Sequence, residues 1–400
     1  MAYRICMLAV GKLPVPAVLG GASEALAQTL LDENEKDPQV EFTVLSTVHS
    51  AAWEQAQHYR HAQFVWFKPQ VLWNKFWWRI RAAHKQLGRS PLPFPYQRVQ
   101  AAAWLEEHQH EFDYILTECD LDIVQRAKVP PEKVLYHMHW VGDPTPENDA
   151  SFGHLLAVSS YVGKNWAQAT GRRAETIHVL PNCVADHCFS EPLPEVRRQM
   201  CQGFELDPNT FIVLYVGRLV EYKGVQELIR AVEALPGQDV ALVLAGSTNF
   251  GLKSCDDYEK EVRALAEHSS KKIHFAGFVP NDHLGHFYAM ADVVAVPSLC
   301  QEAAPLVPME AMAAGRPVVA SVSGGLPEYL TEDCGILVPQ GDGFEARLTQ
   351  ALQTLRTDPE QRTRLGKAGA ERAKQFTAAA FYQNFVRTVG EIAAREQTAD

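Results

Sequence analysis

Short apolar runs alternate with helical stretches along most of this chain of 400 residues, and the alternation restarts near its middle. Continuous apolar runs are typical of strands that are buried on both faces of a parallel sheet. Strands alternating with helices predict an α/β fold, and the restart predicts two such domains. A chain of this length with 46% hydrophobic residues can bury a large core, which favours the same division. The predicted strands are residues 4–10, 42–46, 64–67, 113–117, 133–139, 155–160 and 177–184 in the first half, and 211–216, 240–247, 272–280, 292–296, 318–321 and 335–339 in the second.

The charge balance argues against nucleic acid as the main partner. The chain has 37 basic and 48 acidic residues, so there is no excess of positive charge to neutralise a phosphate backbone. None of the eight cysteines forms a CxxC pair, which argues against zinc and redox motifs and favours reduced thiols in the cytoplasm. The apolar run at the N-terminus is too short for a signal peptide, and no stretch reaches transmembrane length.

One strand, loop and helix carry the strongest chemical signal. The strand at 292–296 is followed by a loop, by Pro305 at a position that suits the first residue of a helix, and by Gly315 as the helix end. The helix N-terminus presents free backbone N–H groups, at Leu306 and Val307, to an anion at the edge of the sheet. Two carboxylates, Glu302 and Glu310, would repel a phosphate. They are therefore better suited to accept hydrogen bonds from hydroxyl groups of the same ligand. Phosphate and polyol together indicate a nucleotide sugar, and the alternative is an ordinary βα unit with two solvated glutamates.

Other loops at strand ends carry glycine and basic residues. Arg218 and Lys223 flank the turn between a strand and a helix, so they can converge on a diphosphate, although basic loop residues are often only solvated. Gly20 and Gly21 follow the first strand and let the backbone approach a ligand closely, or they form a plain tight turn.

Three further patterns leave alternatives open. The stretch that begins at Trp73 and ends at Arg89 is basic, aromatic and free of acidic residues. It predicts either binding to an anionic membrane surface or a lipid-linked acceptor, or a surface helix whose tryptophans pack on the sheet. Asp120 and Asp122 form a DxD, which we interpret as a polar loop or helix start rather than a metal site. His137 and His139 alternate along a strand and therefore point to one face, but no third metal ligand lies nearby in sequence.

The stretch from Glu302 to Glu310 resembles the Glu-seven-residues-Glu motif of retaining glycosyltransferases of family four, which have the GT-B fold. Further matches are Gly217-Arg218 with Lys223-Gly224, and the Pro-Asn at 181–182. The resemblance is dense from 182 to 339. Ala304 and Pro305 stand where the family most often has Phe and Gly, and Pro305 lacks the N–H for one backbone contact to the ligand.

The resemblance implies roles for individual residues. Glu310 would hold ribose hydroxyls, Glu302 the sugar hydroxyls, and His139, with His137 as the fallback, would lie near the transferred sugar. Arg218 and Lys223 would neutralise the leaving diphosphate, which makes a metal or other cofactor unnecessary. The remaining predicted donor-binding residues are Gly20, Gly21, Gly217, Gly246, Phe278, Val279, Leu306 and Val307.

The sequence therefore predicts GT-B architecture, with two Rossmann-like domains that face a central cleft. Residues 1–190 form the acceptor-side domain, 191–380 the donor domain, and 381–400 a helix that returns to the first. The expected activity is transfer of a sugar, most simply from a UDP-hexose, with retention, to a glycan, lipid-linked or protein acceptor in the cytoplasm or at the inner face of the membrane. The alternatives are a non-catalytic surface or spore-coat assembly protein and a nucleotide-sugar epimerase.

Overall fold

The computed structural model describes residues 2–70, 95–118, 121–173, 176–189, 193–248 and 257–399. The chain forms two compact units. Unit 1 comprises Met1–Pro181 with Ala378–Asp400, and unit 2 comprises Asn182–Thr377. The boundaries predicted from the sequence, after residues 190 and 380, lie later in the chain than these. The basic aromatic stretch from Trp73 to Arg89, and Asp120 of the DxD, lie outside the described residues.

Unit 1 is built on a parallel sheet of seven strands in the order β3-β2-β1-β4-β5-β6-β7. The strand order reverses between β1 and β4, which is where doubly wound sheets open a crevice at their carboxyl edge. The strands are β1 Tyr3–Ala9, β2 Val40–Thr47, β3 Ala62–Phe67, β4 Tyr114–Thr117, β5 Val134–Met138, β6 His154–Ala157 and β7 Ile177–Val179. The described helices are α1 Ala22–Lys36, α2 Ser50–Ala56, α3 Tyr96–His108, α4 Leu121–Arg126, α5 Pro146–Asp149, α6 Ser160–Thr170 and the C-terminal α15 Ala378–Ala399.

Unit 2 repeats the plan with six parallel strands in the order β10-β9-β8-β11-β12-β13, which reverses between β8 and β11. Its strands are β8 Phe211–Val216, β9 Val240–Ala245, β10 Lys272–Gly277, β11 Val293–Val296, β12 Val318–Ser321 and β13 Gly335–Val338. Its described helices are α7 Pro194–Gly203, α8 Val225–Glu233, α9 Asp257–Glu267, α10 Leu284–Met290, α11 Leu306–Ala313, α12 Leu326–Tyr329, α13 Phe344–Thr357 and α14 Pro359–Ala373. Two parallel sheets flanked by helices confirm the predicted α/β fold.

The core follows from the apolar strands. Every residue of β9 is buried, and so is every residue of β11 and β12. Helices cover both faces of such strands, because a run without polar residues has no face for water. Six cysteines of the described chain are free thiols, and five of them are buried. None of the described helices combines the length and the apolarity needed to cross a membrane.

The C-terminal helix α15 packs on the sheet and helices of unit 1. Tyr382 donates a hydrogen bond to Asn34 (2.6 Å), and the Phe385 ring stacks on Phe42 with centroids 6.4 Å apart. Further along, Glu396 accepts a hydrogen bond from Tyr114 (2.7 Å). The last segment of the chain therefore stabilises the unit with which the chain begins.

Candidate functional site

In unit 2, the loops that follow β8 and β11 meet where the strand order reverses. The backbone carbonyl of Tyr222 accepts hydrogen bonds from the N–H groups of Leu299 (2.9 Å) and Cys300 (3.2 Å). Gly224 has a φ of 70°, and a Cβ there would lie 2.0 Å from the carbonyl oxygen of Pro297. Only glycine permits this close approach, so the two loops form one surface at the carboxyl edge of the sheet.

Lys223 and Glu302 form an ion pair across these two loops. The Lys223 Nζ lies 2.6 Å from Glu302 Oε1, and the side chains are 24% and 12% exposed. Ser298 donates a second hydrogen bond (2.5 Å) to the same carboxylate oxygen. The Glu302 N–H donates to Ser323 (3.0 Å), which fixes the backbone as well. The structure thus brings together two predicted site residues that are 79 positions apart.

Arg218 lies in the same loop as Lys223 but has a different environment. The Tyr215 hydroxyl donates to its backbone carbonyl (2.6 Å), and its guanidinium donates to the Tyr222 hydroxyl. No carboxylate of the described residues pairs with this guanidinium. Within the described part of the chain, the Arg218 guanidinium is therefore a positive charge that no carboxylate balances, which suits an anionic ligand.

The glycine-bearing ends of β8 and β9 also approach each other closely. Gly246 has a φ of 148°, and a Cβ there would lie 1.8 Å from the carbonyl oxygen of Gly217. The Gly246 N–H donates to the carbonyl of Gly277 at the end of β10 (2.7 Å). Beyond that point, Phe278 and Val279 line a groove of about 410 Å³ between α7 and α10. Arg218, Lys223, Glu302 and Glu310 are not among the residues that line this groove.

Helix α11 begins one residue later than the sequence predicts. Pro305 is its N-cap, with φ −70° and ψ 134°, and not its first helical residue, because the extended ψ of Pro305 lies outside the helical region. The first turn of a helix leaves its N–H groups without intrahelical acceptors, and Pro308 has none to offer. Leu306 and Val307 are therefore the residues whose N–H groups this terminus presents. Asn182 supports the loop by donating to the Ala304 carbonyl (3.0 Å).

Glu310 lies on the second turn of α11 and is half-buried. The buried hydroxyl of Tyr288 donates to Glu310 Oε2 at 2.6 Å. Burial raises the pKa of Glu310 above its ordinary value, and the hydrogen bond from Tyr288 opposes that rise. Tyr288 was not predicted as a site residue, because nothing in the sequence pattern of α10 distinguishes this tyrosine from an ordinary core residue.

In unit 1, a carboxylate joins the two histidines of the HxH pattern. Glu118, just beyond β4, lies 3.0 Å from His137 Nδ1 and 2.5 Å from His139 Nε2, both through Oε2. The three side chains are 1–12% exposed. Both histidines face the same partner, as the alternation of a strand predicts. Glu118 was not predicted, because it lies 19 and 21 residues before the two histidines and only the pairing of β4 with β5 brings it to them.

The electrostatics of this cluster fix its protonation. Burial by itself raises the pKa of Glu118, but the charges and hydrogen bonds of His137 and His139 outweigh it and lower the pKa to about 2. Burial lowers the pKa of His139, so the ring is neutral at neutral pH. An ionised carboxylate only accepts hydrogen bonds. His139 therefore carries its proton on Nε2, and its Nδ1 is an acceptor.

Two histidines and a carboxylate are also a donor set that divalent metals bind. The structure supplies the third ligand that the sequence argument did not find, although contacts of 2.5 and 3.0 Å are hydrogen-bond distances. Of the DxD, Asp122 lies in the first turn of α4 and forms an ion pair with Arg98. This confirms the predicted helix start for Asp122 and leaves its carboxylate engaged.

A cavity of about 60 Å³ lies beside Glu118 where the strand order of unit 1 reverses. Its lining includes Gly11, Ser23 and Glu24 from the segment after β1. Burial raises the pKa of the Glu24 carboxyl, and the nearby Glu118 charge adds to this. Gly20 and Gly21, at φ 80° and 100°, form the turn immediately before α1 in the same segment.

Two doubly wound sheets with these strand orders are the architecture of GT-B glycosyltransferases. The structure of HepE from Anabaena in complex with UDP and glucose superposes with a TM-score of 0.72 at 22% identity, over 97% of this chain and 100% of that one. Sucrose-phosphate synthase from Thermosynechococcus elongatus gives a TM-score of 0.71 at 19% identity, over all of both chains. At these identities the likeness shows the fold alone, and it confirms the predicted two-domain Rossmann-like fold.

Sequence comparison gives matches that are more specific than the shared fold. Residues 197–372, which belong to unit 2, match the family model of glycosyl transferases group 1. A D-inositol 3-phosphate glycosyltransferase from Corynebacterium aurimucosum is 36% identical over 263 residues, which are 61% of this chain and 60% of that protein. The spore coat protein SA from Bacillus subtilis is 25% identical over 380 residues, 93% and 94% of the two chains. The chain spans about half the length of the curated inositol phosphate glycosyltransferases that it matches, from 40% to 60%.

Proposed function

We propose that the protein is a glycosyltransferase that moves a sugar from a nucleotide-diphosphate donor to an acceptor hydroxyl with retention of configuration. The single observation that carries this proposal is the cluster at the β8–β11 switch point. There, two cationic side chains and a fixed carboxylate share one loop surface in a glycosyl transferase group 1 domain. A diphosphate needs the cations, and a sugar needs the carboxylate.

The chemistry assigns a task to each group. The Arg218 guanidinium and the Lys223 ammonium stabilise the negative charge that grows on the leaving diphosphate, and the N–H groups of Leu306 and Val307 add to this. Glu302 accepts hydrogen bonds from sugar hydroxyls, and Glu310 from the ribose. The departing phosphate takes the proton of an acceptor hydroxyl that enters on the same face. His139, whose Nδ1 is an acceptor, orients a hydroxyl in unit 1.

A UDP-hexose is the simplest donor. HepE, which shares the fold, binds UDP and glucose, and the other similar proteins include enzymes named for inositol phosphate and lipopolysaccharide acceptors. For this chain the acceptor is a glycan, lipid-linked or protein hydroxyl. A thermal-shift screen of UDP-, GDP- and ADP-sugars tests the donor, and the expected result is selective stabilisation by one of them. No stabilisation by any member of the panel contradicts the proposal.

Incubating that donor without an acceptor distinguishes sugar transfer from two other functions. A transferase releases the nucleoside diphosphate slowly as water takes the place of the acceptor, and an epimerase returns a different nucleotide sugar instead. The 25% identity to a spore coat protein over nearly the whole chain favours an assembly protein as the second candidate. Such a protein would bind the donor without any turnover.

We expect sugar transfer to continue in excess EDTA. Arg218 and Lys223 supply the positive charge that a divalent cation would otherwise bring to the diphosphate, so chelation removes nothing that the step needs. The measurement is initial rate with and without EDTA, with manganese added back. Complete loss that manganese restores would refute metal independence and would direct attention to Glu118, His137 and His139.

Tyr288→Phe is expected to make donor binding more sensitive to acid. A carboxylate must be ionised to accept hydrogen bonds from ribose hydroxyls, and burial already raises the pKa of Glu310. The Tyr288 hydroxyl stabilises the ionised form, so its loss raises that pKa further and affinity declines at a higher pH during acidification. The measurement is UDP affinity against pH. The matched control is Tyr59→Phe, which removes a similar hydrogen bond to Asp32 (2.5 Å) in unit 1; identical pH profiles in all three proteins would contradict the role of Glu310.

A further inference from the structure

We propose that Tyr222 is a positioning residue that holds the Arg218 guanidinium ready for the diphosphate without neutralising its charge. The inference rests on the proposed function and adds to it a residue that touches the ligand only through Arg218. It concerns the segment 217–224, which leads from β8 to α8.

The Tyr222 side chain contacts the guanidinium in two ways. Its hydroxyl accepts a hydrogen bond from Arg218 Nη2, and its ring lies 5.6 Å from the Arg218 Cζ. The Nζ of Lys223 lies 5.9 Å from the same ring. An aromatic face attracts cations at such distances. Both of the cations that the proposed mechanism uses therefore lie against one tyrosine ring.

Tyr222 can do this because its own backbone is fixed. It lies in the 3₁₀ turn Glu221–Lys223, and its carbonyl accepts the N–H groups of Leu299 and Cys300 from the opposite loop. The residue is still 42% exposed. Tyr222 is thus anchored through its main chain, while its phenol extends to the surface where a ligand can reach the groups that it holds.

Arg218 is held at both ends. Tyr215 donates to its carbonyl at 2.6 Å, and Tyr222 accepts from its guanidinium. A carboxylate in place of the phenol would also hold the guanidinium, but it would cancel the charge and would have to be displaced by the incoming phosphate. A phenol and a ring hold the group and leave its full positive charge for the ligand. Among the described residues, the neighbouring Lys223 has the opposite arrangement, because Glu302 already pairs with it.

A double-mutant cycle tests the proposal, with inorganic pyrophosphate and UDP as the ligands in calorimetric titrations. Tyr222→Phe keeps the ring and removes the oxygen that accepts from Arg218. In the wild-type background it should weaken pyrophosphate binding about fivefold, because the released guanidinium must then be ordered when the ligand binds. In an Arg218→Ala background the same change should have no effect, since the group that Tyr222 positions is gone.

The background dependence distinguishes positioning from a structural role. A merely structural tyrosine would weaken binding equally in both backgrounds, and that result would overturn the proposal, as would unchanged affinity in the Tyr222→Phe single variant. Tyr59→Phe is the control for the loss of a tyrosine hydroxyl elsewhere. If the wild type itself binds neither pyrophosphate nor UDP, GDP or ADP, the proposed function fails first. If the wild type binds and the cycle shows no coupling, only the role of Tyr222 fails.

Discussion

Lys223→Ala is expected to lower kcat/KM for sugar transfer by about 10²–10³-fold, the usual effect of removing one group that stabilises charge in a transition state. It should also lower the free energy of unfolding, because it leaves the carboxylate of Glu302, 12% exposed, without its cationic partner. The Ser298 hydroxyl then remains as a hydrogen-bond donor to that oxygen. Steady-state kinetics and urea unfolding measure the two effects separately.

Arg218→Ala provides the contrast. It should lower kcat/KM to a similar degree, but the free energy of unfolding should hardly change, because no described carboxylate depends on this guanidinium. Lys260→Ala is the matched control, since Lys260 also belongs to unit 2 and forms an ion pair (2.8 Å) that is solvated. Near-normal turnover in both Lys223→Ala and Arg218→Ala would refute the roles assigned to the loop.

The strands and the loop residues of the site could be predicted because their signals are local in sequence. The strands were visible because buried parallel strands are apolar throughout, and the loop residues were visible because they follow those strands. Glu302 and Lys223 could be expected at one edge of a sheet, since β8 and β11 end there. Their direct pairing could not be predicted, because it depends on the close approach of Gly224 to Pro297.

The site residues that the sequence did not predict depend on contacts that only the structure shows. Glu118 reaches His139 from the neighbouring strand, and Tyr288 reaches Glu310 from a preceding helix. In each case the partner is set by how two elements pack, which no spacing along the chain encodes. Tyr222 was missed although it lies beside Lys223, because an exposed loop tyrosine gives no signal until the position of Arg218 is known. The helix start was wrong by one residue because a proline suits both the N-cap and the first turn.

Both units place charged groups at the same point of the fold. In unit 2 the reversal of strand order brings Lys223 to Glu302, and in unit 1 it brings Glu118 beside the segment after β1. The carboxyl edge of a doubly wound sheet is where loops from neighbouring strands diverge and leave room for a ligand. The two clusters differ in charge: in the first, no carboxylate of the described residues pairs with Arg218, whereas Glu24 and Glu118 line the second.

Glu118→Gln is expected to destabilise unit 1 by about 3 kcal/mol at neutral pH, from the lowering of the Glu118 pKa to about 2. One oxygen of Glu118 accepts from both histidines, and the uncharged amide oxygen that replaces it is a weaker acceptor for the same two N–H groups. The hydrogen bond that orients His139 is therefore weakened together with the loss of the charge. Urea unfolding of the full chain at pH 7, followed by the transition of unit 1, measures the effect. The control is Glu106→Gln, whose pair with Lys128 is largely solvated.

The pH dependence of that difference gives the sharper test. Because the folded pKa of Glu118 is depressed, its contribution to stability is present above the unfolded value near 4.5 and is lost as the pH falls toward 2. His139 acts in the same direction at higher pH, since its lowered pKa lets the unfolded chain take up a proton below about 6.5 while the folded chain does not. The wild type should thus lose stability on acidification through both groups, and the gap to Glu118→Gln should shrink below pH 4.5. A gap that stays constant down to pH 3 would mean that the carboxylate charge does not stabilise the two histidines.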